Sequence, residues 1–331
     1  GPLLRQALIE AHLYTESITT LTNKDEVKII LEREPELFDG LTLLLETIEQ
    51  PDIDMIMVTH GPGLAPALWV GVNFARALSL FWDIPIVPVN HMEGHITSIL
   101  LKKDYLHQEM ALQLPTDFNF PMISLLISGG HTQLVLVKDW GEYEIIGETT
   151  DDAVGEAFDK VARMLDMKYP GGPKISKAAA AGQENELIQL PRPMLHSKDY
   201  RFSFSGLKTA VRYLIVDLKK QELYSDQIIA DIAREFEHAV TDVLIKKTSQ
   251  AIEEYAAQGL IIAGGVSAND FISASFRNLT EKYGIELYLP EKRMCGDNSL
   301  MIATAGFIGM MYKKNTTISQ RELVALSNLK L

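Results

Sequence analysis

Short apolar strands that alternate with helices constrain the fold of this chain more than any other feature of its sequence. Residues 53–59 form an apolar run of β type, and residues 65–81 carry helical periodicity. Residues 84–89 are a second short apolar run, after which an amphipathic helix is predicted over 91–101. Strand, turn and helix in this order form a βα unit, which predicts an α/β fold. His91 then lies at the carboxyl edge of a strand, where ligands of such folds collect.

The rest of the chain predicts a second lobe. At 331 residues the chain exceeds one ordinary domain, which favours two lobes. A polar connection with prolines around 108–121 marks the boundary. We expect a first lobe over 1–118, completed by a carboxyl-terminal helix over 300–331, and a second lobe over 119–299. Strands are predicted at 123–128, 133–138, 143–147, 259–263 and 285–289, and helices at 155–167, 205–220, 226–257, from 269, and from 298 to about 313.

Composition and charge exclude several classes of protein. Hydrophobic residues make up 47% and charged residues 23% of the chain, which is typical of a globular protein with sizeable cores. The sequence has no run of 18 apolar residues and no secretory signal, so we expect a cytoplasmic protein. The single Cys295 cannot form an internal disulfide. A net charge of −13 opposes nonspecific binding of nucleic acid, because such binding depends on Lys and Arg contacts with phosphate.

Two histidines four residues apart are the first candidates for chemistry. His91 and His95 lie on a predicted helix, so both imidazoles project from one face and can share a metal, given a third ligand. The spacing alone is equally compatible with two polar residues that line the helix. A zinc peptidase of the HExxH type places its general base directly after the first His, whereas Met92 stands there and Glu93 points to another face. Peptide hydrolysis is therefore poorly supported.

Asp297 is the candidate for the third ligand. It directly precedes the last predicted helix, in Cys295-Gly-Asp-Asn298, where a carboxylate is a common helix cap. The functional alternative is an oxygen ligand that completes a His-His-Asp site and leaves one position open for substrate. The sequence alone is compatible with both.

Four glycine turns follow strands or open helices in the second lobe. They are Ser128-Gly-Gly130, Tyr169-Pro-Gly-Gly-Pro173, Phe204-Ser-Gly206 and Gly264-Gly-Val-Ser267. Backbone N–H groups in such turns can bind phosphate without hindrance from Cβ atoms. One Gly-Gly pair usually means only a tight turn, but four in one lobe predict a nucleotide site. Asp159 and Asn269 lie near helix starts and suit either a ribose or acyl-group hydroxyl or a capping role.

Together these motifs resemble the TsaD family of tRNA N(6)-threonylcarbamoyladenosine transferases, formerly labelled O-sialoglycoprotein endopeptidases. The resemblance implies an α/β, two-lobed fold like that of actin, heat-shock chaperones and sugar kinases, with a nucleotide and metal cleft between the lobes. The matching segments, from about Asp52 onward, are Thr59-His-Gly-Pro-Gly-Leu64, Asn90-His-Met-Glu-Gly-His95, Leu126-Ile-Ser-Gly-Gly-His-Thr-Gln133, Gly155-Glu-Ala-Phe-Asp-Lys160, Tyr169-Pro-Gly-Gly-Pro173, Phe202-Ser-Phe-Ser-Gly-Leu-Lys208, Ala263-Gly-Gly-Val-Ser-Ala-Asn269 and Asp297-Asn298.

The resemblance also implies a reaction, a site and partners. The family transfers a threonylcarbamoyl group from threonylcarbamoyl-AMP to N(6) of the adenosine 3′ of the anticodon in tRNA, with one iron or zinc ion. Implied partners are tRNA and either a paralogous subunit with an ATPase subunit or a second copy. Implied metal ligands are His91, His95 and Asp297. Implied contacts to the nucleotide and acyl-adenylate are Leu126, Ile127, Ser128, Gly129, Gly130, Asp159, Gly172 and Asn269.

Two departures from the family pattern bear on this site. The family opens with a strand and a phosphate-facing turn of the type Ile-Glu-Thr-Ser-Cys-Asp-Glu-Thr, which has no counterpart upstream of Asp52. We therefore expect an amino-terminally truncated chain, in which residues 1–51 resemble the family only near 43–49. Ser176 stands where many members carry an Asp toward the ribose. The alternatives to the transferase are a non-catalytic nucleotide-binding scaffold, which the missing turn favours, and, less well supported, a metallopeptidase.

Binding of tRNA needs local positive charge or a partner, because the chain as a whole is acidic. Predicted groups for a basic rim near the nucleotide site are Lys174, Lys177, Arg201 and Lys208. For each residue taken separately, an ordinary solvated surface charge is as good an interpretation as a contact with tRNA.

Overall fold

The computed structural model describes residues 1–104, 109–113 and 118–331. The chain divides into two compact units, one formed by residues 1–94 and 302–331 and the other by residues 95–301. Within the described residues, no helix combines the length and the apolar character needed to cross a membrane.

Three helices and a βα unit make up most of the first unit. In chain order its elements are α1 (Pro2–Glu10), α2 (Lys24–Ile30), α3 (Pro35–Leu45), β1 (Ile56–Gly61), α4 (Ala65–Trp82) and β2 (Ile86–Asn90). β1 and β2 pair in parallel and α4 contacts both strands, which confirms the predicted βα unit. Pro35 begins α3, because its fixed φ suits the first turn of a helix. Leu41 and Leu45 of α3 share a buried cluster with Ala77 and Trp82 of α4.

The helix that carries the two histidines follows β2 directly and runs across the boundary between the units. This helix, α5, spans His91–Thr97 and continues as a 3-10 turn over Ser98–Leu100, so the predicted helix is confirmed with a tighter last turn. Asn90 caps its start, because the Asn90 Oδ1 accepts hydrogen bonds from the amides of Met92 at 2.9 Å and Glu93 at 3.4 Å.

A five-stranded mixed sheet is the centre of the second unit. The strands of this unit are β3 (Leu101–Asp104), β4 (Glu109–Leu112), β5 (Met122–Ile127), β6 (Thr132–Asp139), β7 (Glu142–Glu148), β8 (Gly259–Ala263) and β9 (Glu286–Tyr288). The sheet has the order β7-β6-β5-β8-β9, and among the described residues β3 and β4 form a separate two-stranded sheet. β5 and β8 are parallel and completely buried, the pattern of central strands covered on both faces. The 3-10 turn after α5 contacts β8, and it belongs to the second unit, which spans residues 95–301.

Five helices pack with this sheet. They are α6 (Val154–Met164), α7 (Gly171–Ala179), α8 (Ser205–Lys220), α9 (Asp226–Glu254) and α10 (Asp270–Tyr283). Four of them were predicted, with ends that differ by a few residues, whereas the short α7 was not. α7 contacts both α6 and α9. The rings of Phe158 on α6 and Phe236 on α9 meet edge to face, with centroids 5.0 Å apart, in the main core of this unit.

The parallel strands β5 and β8 end side by side, with Leu126 aligned to Ala263. Each strand leads directly into a glycine turn. Gly264 has a φ of +93°, and a Cβ atom at this position would lie 2.5 Å from the carbonyl oxygen of Ile127. Only glycine fits there, and it lets the turns after β5 and β8 lie next to each other at one edge of the sheet.

The carboxyl-terminal segment is helical only at its beginning. Helix α11 spans Ser299–Met311, which confirms the helix predicted from 298 to about 313 and covers only the first part of the range 300–331. The amide of Lys314 bonds back to the carbonyl of Gly309 at 2.8 Å, which closes the last turn. Beyond it, Ile318 pairs antiparallel with the first residue of β2. The chain thus returns to the edge of the first unit's sheet as an extended segment.

Candidate functional site

Two histidines project from one face of α5. His91 and His95 are four residues apart on this helix, so their imidazoles lie one above the other. The side chain of His95 is only 2% exposed. The Oγ of Ser98 donates a hydrogen bond to the carbonyl of His95 at 2.6 Å, which holds the helix end in place. The histidine pair is therefore presented by a well-anchored element.

Asp297 reaches the buried histidine. Its Oδ1 lies 3.2 Å from Nε2 of His95. The sequence was compatible with Asp297 as the cap of the last helix. The structure gives this role to Asn298, because its Oδ1 accepts a hydrogen bond from the amide of Met301 at 2.9 Å. The side chain of Asp297 is 74% exposed, so the group is open on the side of this carboxylate.

His91, His95 and Asp297 each offer one ligand atom, and these atoms lie within 4.8 Å of one another. Two imidazole nitrogens and one carboxylate oxygen are a donor set found in catalytic zinc and iron sites. Bonds of about 2.0–2.2 Å to one ion place neighbouring donors at separations close to the observed 3.2 Å between His95 and Asp297. The residues therefore fit a single divalent transition metal with room for a substrate ligand.

A pocket of about 900 Å³ lies in the second unit, a volume suited to a nucleotide. Gly129, Gly155, Gly172 and Gly265 line it. At Gly129, Gly172 and Gly265 an added Cβ atom would meet no protein atom within 4 Å, so a ligand can approach the backbone closely. At Gly155 a Cβ atom would lie 2.6 Å from the carbonyl oxygen of Ser128, which brings the start of α6 against the turn after β5.

Asp159 fastens the start of α7 to α6. Its Oδ1 accepts a hydrogen bond from the amide of Gly171 at 2.7 Å. A Cβ atom on Gly171 would lie 2.7 Å from the Cα of Asp159, so the helices approach as closely as they do because residue 171 is glycine. Asp159 also lines the pocket, together with the adjacent Gly172. It can therefore both position α7 and contact a ligand.

A buried carboxylate in the pocket wall was not predicted. Glu237 on α9 is 4% exposed and lines the pocket. Its Oε1 accepts hydrogen bonds from Ser176 Oγ at 2.8 Å and from Asn269 Nδ2 at 2.7 Å. Asn269 Oδ1 accepts from the amide of Ile272 at 2.9 Å and so also caps α10. Helical periodicity could have identified this residue, because Glu237 lies on the same buried face of α9 as Ala233 and Val240.

Aromatic and cationic side chains line another part of the same pocket. The ring of His238 stacks on Phe271, with centroids 4.3 Å apart and planes 25° apart. Burial lowers the pKa of His238, and the nearby charge of Arg234 lowers this pKa further, so the imidazole is neutral at neutral pH. Stacked flat faces of this kind suit a nucleic-acid base. These three pocket residues were also missed from the sequence.

The predicted nucleotide contacts divide into two groups. Leu126 and Ile127 are fully buried in β5 and lead into the turn. The Oγ of Ser128 accepts hydrogen bonds from the amides of Gly130 at 3.4 Å and His131 at 3.1 Å, so it shapes that turn. The predicted residues that line the pocket are Gly129, Asp159, Gly172 and Asn269.

Solved structures of another protein share the fold of this chain. Full-length HypF in the phosphate- and nucleotide-bound form superposes with a TM-score of 0.56 at 12% identity, over 83% of this chain and 41% of that chain. HypF of T. kodakarensis superposes with a TM-score of 0.55 at 13% identity, over 84% of this chain and 43% of that chain. At such low identity the similarity concerns the fold alone. It supports the predicted two-lobed α/β class.

Sequence comparison identifies the family. Residues 43–304 match the family model TsaD, tRNA N6-adenosine threonylcarbamoyltransferase. A protein of that name from Thermosipho africanus is 42% identical over 287 residues, which are 87% of this chain and 81% of that protein. Another from Burkholderia thailandensis is 47% identical over 261 residues, 77% of this chain and 71% of that protein. These matches cover most of the chain and confirm the predicted resemblance: the chain belongs to the TsaD family of tRNA N6-adenosine threonylcarbamoyltransferases.

Proposed function

We propose that this chain transfers the threonylcarbamoyl group of threonylcarbamoyl-AMP to N6 of the adenosine 3′ of the anticodon in tRNA. Family membership supplies the reaction, because the curated relatives carry the name of this transferase. The observation that carries the proposal is the pocket in the second unit, which offers a separate set of groups to each part of an adenylate.

The phosphate, the ribose and the base of the donor each have a counterpart in the pocket wall. Open backbone at Gly129, Gly172 and Gly265 suits the phosphate, and the amino-terminal end of α7 adds a favourable dipole. The carboxylate of Glu237 is an acceptor for ribose hydroxyls. In this chain it takes the place of the Asp that many family members carry at the position of Ser176. The stacked face of His238 and Phe271 suits the base.

The chemical step is an acyl transfer that needs no protein nucleophile. The N6 nitrogen bonds to the carbamoyl carbon, the bond from that carbon to the phosphate oxygen breaks, and N6 releases one proton to solvent. AMP leaves with the bonding electrons, and its phosphate is too weak a base to need a proton from an acid on the enzyme. The residues of the pocket therefore act by holding the donor in one orientation and by stabilising charge on it.

His91, His95 and Asp297 would hold one divalent ion, zinc or iron, and such an ion polarises the donor carbonyl when it is bound. His95 is buried and Asp297 is exposed, so the ligand set combines a fixed nitrogen with a carboxylate on the open side. The metal ligands and the open glycines of the pocket lie in segments that resemble the family, whereas Glu237, His238 and Phe271 lie outside those segments.

Partners and location are also part of the proposal. A net charge of −13 leaves few phosphates that the chain could neutralise unaided. We expect tRNA binding to be shared with a paralogous subunit and an ATPase subunit, or with a second copy of the chain. We expect the reaction to take place in the cytoplasm, where tRNA substrates are abundant.

Replacement of the buried carboxylate tests the ribose contact. In the wild type, AMP is expected to bind more tightly than 2′-deoxy-AMP, and Glu237→Gln is expected to reduce this preference by about tenfold. The reason is that a hydrogen bond to a charged acceptor contributes about 1.5–3 kcal/mol. Calorimetric titration with the two nucleotides measures the preference. Asp242→Asn makes the same chemical change on the same helix and should leave the preference intact. Equal affinities of the wild type for both nucleotides would contradict the assignment.

The transferase reaction itself is tested with purified protein, threonylcarbamoyl-AMP and an unmodified tRNA. Mass spectrometry of the digested tRNA should detect threonylcarbamoyladenosine, and a tRNA with guanosine at the target position should yield none. A glycoprotein incubated with the same protein should stay intact. If AMP binds but no modified nucleoside forms, even with the partner subunits present, the chain is a nucleotide-binding scaffold instead.

A further inference from the structure

The rim of the nucleotide pocket carries an exposed aromatic side chain. Tyr169 lines the pocket, and yet it is 83% exposed. A single exposed aromatic residue is common on protein surfaces, so exposure alone carries no function. Tyr169 differs from the other exposed large hydrophobic residues of the described chain because it also lines the nucleotide pocket.

The backbone next to Tyr169 is held in place. Gly171 begins α7, and its amide donates to Asp159 at 2.7 Å. The contact of Gly171 with α6 is so close that a Cβ atom would lie 2.7 Å from Cα of Asp159 and from Cβ of Ala162. Tyr169 stands two residues before this junction. Its ring is therefore presented on a fixed backbone rather than on a long loop.

The chain segment that contains Tyr169 is basic although the chain as a whole is acidic. Lys168, Lys174 and Lys177 are exposed, and the segment from Lys168 to Lys177 contains no acidic residue, against a net charge of −13 for the whole chain. In the part of the chain that the structure describes, the observed ion pairs involve none of these three lysines. Their charges are available to a ligand from outside.

The other two predicted rim cations are already compensated. Arg201 pairs with Asp199 at 2.6 Å. Lys208 pairs with Asp152 at 3.1 Å, and its side chain is largely buried. The positive rim predicted from the sequence therefore reduces to the segment that contains Tyr169.

We propose that Tyr169 stacks on an unpaired base of an RNA loop at the mouth of the pocket, while Lys168, Lys174 and Lys177 contact the phosphates beside that base. An exposed ring in a lysine-containing segment has the chemistry of a single-stranded RNA site, in which bases stack on aromatic side chains and cations contact the backbone phosphates. The identity of the RNA as an anticodon loop rests on the proposed function. The stacked base would be the target adenosine or its neighbour.

The test uses the full chain, a fluorescent anticodon stem-loop RNA and anisotropy at low and at physiological salt. Tyr169→Ala is expected to weaken binding at low salt by about tenfold, and Tyr169→Phe should bind like the wild type because it keeps the ring. Replacement of the three lysines by Ala should weaken binding and flatten its salt dependence. Tyr213→Ala removes a 62% exposed ring on α8 and should have no effect. A thermal melt should give the same midpoint for all variants, because Tyr169, Tyr213 and the three lysines are exposed.

Three results would overturn the inference: equal RNA affinity for Tyr169→Ala and the wild type, equal loss for Tyr169→Ala and Tyr213→Ala, or no RNA binding by the wild type at either salt. An acidic peptide that binds in place of RNA, with the same dependence on Tyr169, would also overturn it. Modification of tRNA separates this inference from the proposed function. If the wild type modifies tRNA and Tyr169→Ala has an unchanged KM for tRNA, only the proposed RNA site is refuted. Tyr169-dependent RNA binding without any modified nucleoside refutes only the transferase.

Discussion

The double variant His91→Ala/His95→Ala is expected to retain almost no metal, whereas the wild type should hold about one equivalent. Removal of both imidazoles leaves Asp297 as a single carboxylate that is 74% exposed, and one solvated carboxylate does not retain a transition metal. Transfer to tRNA should fall by at least about 10²-fold, because polarisation of the donor carbonyl is lost. Elemental analysis of dialysed protein and the tRNA modification assay measure the two effects.

Loss of folding must be separated from loss of the site, because His95 is buried and its truncation leaves a cavity. Calorimetry with AMP serves this purpose, since the nucleotide pocket lies within the second unit and should bind AMP in the double variant as in the wild type. His196→Ala, a change of an exposed histidine outside the group, should keep both metal and activity. Full retention of metal by the double variant would show that the metal binds elsewhere.

Gly172→Val is expected to weaken AMP binding by about tenfold or more, which is at least ~1.4 kcal/mol. Gly172 lines the pocket, and a Cβ atom there would meet no protein atom within 4 Å. The valine side chain would therefore occupy the space of the phosphate. Thermal stability should stay the same or rise slightly, because valine has a better helix propensity than glycine. Calorimetry gives the affinity, and a thermal melt gives the stability.

Two other glycines provide matched controls for this prediction. Gly206 is the second residue of α8, as Gly172 is of α7, and it also has open space around it, so Gly206→Val should leave AMP binding unchanged. Gly171→Val should instead destabilise the fold by about 1–3 kcal/mol, because its Cβ atom would lie 2.7 Å from Ala162 and Asp159. Unchanged AMP affinity in Gly172→Val would place the phosphate away from α7.

The strands and long helices were predictable because their signal is local. β8 is an uninterrupted apolar run with all five residues buried, and α8 and α9 carry strong helical periodicity. The short α7 was missed because it begins with two glycines and a proline, which are poor helix formers by propensity. Its position depends on contacts with α6 and α9, and these cannot be read from the nine residues themselves.

The carboxyl-terminal segment shows the same limit. The apolar pattern predicted a helix from 298, and α11 begins at Ser299. The extended segment beyond it is stabilised by the pairing of Ile318 with Ile86, a contact between positions far apart in the chain. A local pattern carries no information about such a partner.

The sequence by itself determined the family, the βα unit and the pair of metal-ligand candidates on α5, because these rest on ordered motifs and on spacings within one helix turn. Only the tertiary structure decided that Asp297 faces His95 while Asn298 caps α11. The tertiary structure likewise brought Glu237 to Ser176, 61 residues away, and placed Tyr169 at the rim of the pocket. The physical reason is that periodicity reports which face of an element is buried, whereas a binding site depends on which faces of separate elements pack together.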